Sequence, residues 1–147
     1  MLHANFISAA LAAAVLGVSM NAIAASLPPD NPFAKPSTLP YQLPPLDKIK
    51  NEHFMPAFEA GMEEQLREIA AIANNSAPPT FENTIVAMER SGALLTRVAN
   101  VFFNLTASNT NPELEEIQSK MAPRLSAHSD AILLDAKLFA RVKSLYE

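Results

Sequence analysis

A chain of 147 residues with a hydrophobic fraction of 49%, 12 prolines and 3 glycines has material for at most one domain, and part of its apolar content lies in an Ala-rich start. Its formal net charge of -4, without any cluster of Lys and Arg, excludes a nucleic-acid footprint, which needs grouped cations against phosphates. Zero Cys excludes disulfides, thiol catalysis and Cys-based zinc sites, while leaving an oxidising compartment open.

Residues 1–25 contain no Asp, Glu, Lys or Arg, and residues 6–20 form an apolar run of signal-peptide length, too short for a comfortable membrane span. Ala22 and Ala24 supply the small side chains that a signal peptidase requires, so residues 1–24 are expected to be a cleaved signal peptide that directs export to the periplasm. Residues 25–46 follow as a Pro-rich arm, with seven prolines between positions 26 and 45. Each proline removes an amide donor and disfavours helix at the residue before it. The arm is expected to lie extended along the protein's own surface, anchored by Phe33, Leu39, Tyr41 and Leu43.

Residues 47–147 read as a helical domain. From Asn51 onward Phe54, Phe58, Met62, Leu66, Ile69 and Ile72 or Ala73 recur every three or four residues, which predicts a helix with one buried face. Glu63 and Arg67 stand four apart on its solvated side. Asn74, Asn75, Ser76, Pro78 and Pro79 end it. Residues 78–105 hold two further helical patterns joined at Gly92. Thr80 caps the first by accepting from the backbone N–H near Asn83, and Ile85 and Met88 lie on its apolar side with Thr84 and Ala87. The second carries Leu95, Val98, Phe102 and Leu105, with Leu94 and Val101 beside them, a stripe too wide for a lone surface helix. Asn111 or Thr110 caps the next helix, with Pro112 in its first turn and Leu114, Ile117 and Met121 buried. Pro123 predicts a kink or break, after which Leu125, Ile132 and Leu133 continue the pattern. A last helix, capped near Asp135, places Leu138, Phe139, Val142, Leu145 and Tyr146 on one side. No alternating apolar run bounded by a hairpin turn is present, so the fold class is all-α, built of antiparallel helical hairpins or a bundle.

The sequence offers no assembled chemistry. His3 falls in the signal, His53 has no second His four residues on, and His128 and Asp130 are two apart on a helix and cannot meet. Ser91 lacks a nucleophile-elbow context, and three glycines cannot supply a phosphate loop. Glu82 and Glu89 share a face, with Arg90 and solvent as their expected partners. No catalytic, cofactor-binding or metal residue is assigned.

The words NEHFMPAFEAGM (51–62), PPTFENTIVAMERSG (78–92), LTRVANVFFNLTASNTNPELEEIQ (95–118) and APRLSAHSDAILLDAKLFARVKSLYE (122–147) together resemble the N-terminal region of the thimet-oligopeptidase-like zinc metallopeptidases, in their bacterial peptidyl-dipeptidase branch. The resemblance covers residues 31–147, and the P-T-F-E-N-T block is its most specific part. It implies a large, mostly helical enzyme whose two halves flank a channel. Zinc is held there by an H-E-x-x-H helix and a downstream Glu, and short unfolded peptides lose their C-terminal dipeptides. That motif lies far downstream in the family, so no zinc ligand or catalytic residue transfers to a position here, and the segment corresponds to one wall of the channel. The expectation is therefore an N-terminal fragment that binds no zinc and lacks the catalytic centre. It could also self-associate through exposed apolar surface. The alternative is a non-catalytic helical binding or interaction module.

Overall fold

In a computed structural model, residues 27–147 are described, and the expected signal peptide at 1–24 lies outside them. Among the described residues every regular element is a helix: α1 (Phe54–Ala73), α2 (Ala87–Arg90), α3 (Ala93–Ser108), α4 (Pro112–Leu133) and α5 (Ala136–Lys143). Short 3-10 turns at Pro40–Gln42 and Asn51–His53 precede them, and a π-helical stretch, Glu82–Val86, leads into α2. None of these helices is long and apolar enough to cross a membrane.

The helix starts follow from capping chemistry. The Thr80 hydroxyl accepts from the Asn83 N–H at 3.1 Å, and the Asn83 side-chain oxygen accepts from the Thr80 N–H at 2.9 Å, a reciprocal cap that satisfies two free amides. Asn111 and Asp135 cap α4 and α5 by accepting from the N–H groups of Leu114 and Leu138 at 3.0 and 2.7 Å. Gly92 adopts a left-handed φ of 73° between α2 and α3, where a side chain would be strained. α4 continues through Pro123 as one helix, so of the kink or break expected from sequence the break is absent. Pro123 and Ser119 are both exposed, so water can satisfy the Ser119 carbonyl that proline leaves without a donor.

α1 is the central helix. Phe54 at its start stacks edge-on against Phe102 near the end of α3, with ring centroids 5.1 Å apart, whereas Gly61 meets Leu95 near the start of α3. α1 and α3 therefore run antiparallel. α4 runs alongside α1 in the same direction, because Asn51 reaches Asn111 and Glu113, Glu59 reaches Arg124, and Gln65 reaches His128. The main core gathers Phe33, Phe54, Phe58, Val98, Phe102, Leu114 and Met121. A second, smaller core joins Ile69, Ile72 and Ala73 to Leu138, with Ala87, Met88 and Ile132 partly buried around it.

Most expected core positions are buried or half-buried, and the exceptions are specific. Leu66 is exposed, and Gln65 turns toward the interior in its place. On α5 only Leu138 is fully buried of the expected apolar face; Phe139 and Tyr146 are exposed, as is Leu133 at the end of α4. The helix is short, and the Arg141 guanidinium occupies the inward face beside Leu138.

Of the four expected anchors of the Pro-rich segment, Phe33 alone is buried. Leu39, Tyr41 and Leu43 face solvent, Tyr41 at 97% exposure. Nor is the segment simply extended, since Tyr41 and Gln42 take left-handed φ values of 57° and 55° that turn it back. Phe33 is held by a local network. The buried Asn31 accepts from the Phe33 N–H at 3.0 Å and donates to the His53 carbonyl at 3.1 Å, and Arg97 donates to the Phe33 carbonyl at 3.0 Å.

Candidate functional site

Two polar arrangements sit where the sequence concentrates its distinctive residues. The first is a joint built on the segment between α1 and α2. Asn83 places its side-chain oxygen between three donors, the Thr80 N–H, the Thr84 hydroxyl and the Arg141 guanidinium, each at 2.9 Å, and its amide donates to the Pro78 carbonyl at 3.0 Å. Arg141 also donates to the carbonyls of Asn75 and Ala77 at 2.7 and 3.1 Å. A buried guanidinium thus ties down the 75–84 segment with neutral acceptors only, and its Nε has no partner among the described residues. The π-helical widening falls on the residues that turn inward, Asn83 and the fully buried Thr84. These contacts make the P-T-F-E-N-T block a structural joint.

The second arrangement centres on Gln65. His128 Nε2 lies 2.7 Å from Gln65 Oε1, the Gln65 amide donates to Ser91 Oγ at 3.4 Å, and Ser91 donates to the Met88 carbonyl at 2.7 Å. Since an amide oxygen only accepts, Nε2 carries the proton and Nδ1 is the unprotonated nitrogen, buried without a partner among the described residues. Burial pushes the His128 pKa below its ordinary value. His128 and Ser91 do not form a nucleophile and base pair, because Gln65 separates them and the Ser91 hydrogen is committed to a carbonyl. Glu68 accepts from the Gly92 N–H at 2.7 Å, which fixes the turn into α3.

The remaining candidates lie apart. His53 Nδ1 accepts from the Lys50 N–H at 3.0 Å and closes the turn before α1. Glu82 pairs with Arg90 at 3.1 Å and Glu63 with Arg67 at 3.5 Å, Glu63 half-buried and the other three exposed. Such pairs contribute about 0–1 kcal/mol. His3 lies outside the described residues. Among the described residues no three His, Asp or Glu side chains converge as a metal-ligand set, so they do not fit the zinc that the resemblance implies for the family. Sequence reasoning passed over Gln65, Arg97 and Arg141. For Arg141 a signal existed, since it lies three residues after Leu138 on the inward face of α5.

No protein-family model matches the chain. Curated relatives do. Dipeptidyl carboxypeptidase of Escherichia coli (strain K12) is 48% identical over 117 residues, 80% of this chain and 17% of the relative, and the Salmonella typhimurium protein of the same name is 46% identical over 117 residues. Oligopeptidase A of Escherichia coli is 29% identical over 97 residues, 66% of this chain and 14% of that protein. The chain is a relative of the bacterial oligopeptidases. Within that class it is homologous to the dipeptidyl carboxypeptidases, and the matched region spans 17% of their length.

Proposed function

We propose that this chain forms part of one wall of the peptide channel in a zinc peptidase that removes C-terminal dipeptides from short peptides, as the names of its relatives suggest. The observation that carries the reading is the 48% identity over 117 residues. Residues 1–24 act as an export signal, 25–46 as the connecting arm and 47–147 as the helical domain, with the periplasm as destination. In this reading the chain's part is to shape and restrict the channel.

The test is a chimera in which residues 31–147 replace the matching segment of the Escherichia coli dipeptidyl carboxypeptidase. Release of C-terminal dipeptides from a short blocked peptide within about tenfold of the parent, a change of about 1.4 kcal/mol in barrier, supports the reading. A folded, zinc-loaded chimera that releases none overturns it. The export proposal is checked separately by N-terminal sequencing of the mature protein, which should begin at Ala25 or Ser26; an intact Met1 in the membrane fraction defeats it.

A further inference from the structure

We propose that residues 27–33 form a strap whose docking excludes removal of the signal peptide, so that Phe33 completes the main core only after the signal has been cut. The inference rests on the export reading above. Leu27 is half-buried and packs against the main core. Asn31 and Phe33 are buried, and the Phe33 ring centroid lies 5.4 Å from that of Phe54. The turn between these anchors is closed by the Asn31 N–H, which donates to the Pro28 carbonyl at 2.9 Å. The Asn31 amide and the Arg97 guanidinium then fasten the strap to the start of α1 and to α3, through the carbonyls of His53 and Phe33. Beyond the strap this fastening stops. Among the described residues, positions 35–48 hydrogen-bond only within themselves. The strap is therefore a discrete piece that can dock or leave without unwinding a helix.

The position of the strap is what couples it to processing. The bond to be hydrolysed joins Ala24 to Ala25; one water is consumed, and a carboxylate on Ala24 and an amine on Ala25 are released. Leu27 is the third residue beyond that bond. Three residues of extended chain reach about 11 Å at most, so a docked Leu27 holds the bond close against the folded helices. A peptidase that grips extended chain on both sides of the bond needs that same stretch free of other contacts. Leu27 cannot lie in the peptidase cleft and on the core at once. The rate of cutting then follows the population in which the strap has left its seat. Once the signal is gone, nothing holds residues 25–33 away from the body, and Leu27 and Phe33 seat together.

The experiment times cleavage of the folded full chain by purified bacterial signal peptidase in detergent micelles, with the product identified by mass. A synthetic peptide of residues 1–35 is the reference. The peptide should be cut after Ala24, and the folded full chain at least about tenfold more slowly. Phe33→Ala should speed cutting of the full chain at least about tenfold, because it weakens the seat. A second variant carries about eight Gly and Ser residues between Ser26 and Leu27, which adds about 15 Å of flexible reach. It should be cut nearly as fast as the peptide while keeping the denaturation midpoint of the full chain. Phe33 stays in place in that variant, so its faster cutting cannot arise from unfolding. A peptide that is not cut after Ala24 overturns the export reading and the strap with it. A peptide that is cut, beside a folded full chain cut equally fast or an insertion that leaves cutting slow, overturns the strap alone.

Discussion

At His128 the ring meets Gln65 through Nε2 while Nδ1 is sealed from water with no described partner, so adding a proton there creates a buried charge with an unmet donor. Burial lowers the folded-state pKa below the ordinary value of about 6.5 held by the unfolded chain. The unfolded state therefore binds protons first as pH falls, and linkage makes this group's effect negligible above the unfolded pKa. Stability is lost progressively from about pH 6.5 down to the lowered folded pKa. His128→Leu should flatten this part of the stability-versus-pH curve, measured by urea denaturation in steps across the acidic range. An unchanged slope in the variant would show that His128 does not carry it. The histidine itself is visible in the sequence as a lone residue on a polar helix, but its partner is not. Gln65 is 63 positions away, and no local pattern links them.

Between helices, α1 and α3 approach closely at Gly61. A Cβ built on Gly61 would stand 2.9 Å from both Cα and N of Leu95, inside any normal contact with backbone. Two opposing magnitudes decide the outcome of Gly61→Ala. Helix propensity favours Ala by about 1 kcal/mol, whereas forcing packed helices apart costs about 1–3 kcal/mol. Net destabilisation is expected, read from the denaturant midpoint, and a stabilised variant would mean that the helices separate freely. Element identity and starts were largely legible from sequence because caps at Thr80, Asn111 and Asp135 act within a few residues of themselves. What was not legible depends on other elements. Pro123 leaves α4 continuous, and the Ser119 carbonyl that it orphans lies on an exposed stretch open to water. Gln65 rather than its neighbour Leu66 turns inward, where it accepts from His128 and donates to Ser91.

For the molecule as a whole, Leu133, Leu134, Phe139 and Tyr146 are each at least 63% exposed near the end of α4 and along α5. Large apolar side chains gathered in one region of sequence commonly mark contact surfaces. In line with the proposed function, these side chains are expected to pack against the rest of a longer enzyme and, in the isolated chain, to drive self-association. Sedimentation should show an average mass that rises with concentration, and the double variant Leu134→Asp with Phe139→Asp should suppress the rise. A monomer at every concentration would remove the idea. The candidate site was less legible than the fold. Which of the four expected anchors seats depends on how residues 32–46 fold back, and proline spacing sets where a chain cannot be helical without saying where it goes.

The joint at Arg141 also imposes an order in time. Its acceptors at Asn75, Ala77 and Asn83 precede it by between 58 and 66 positions, so a polypeptide emerging from the ribosome exposes that entire bend before its clasp has been made. The aromatic nucleus around Phe58 and Phe102 can close on earlier residues alone. The 75–84 bend cannot, and it stays hydrated and open to proteases until α5 arrives.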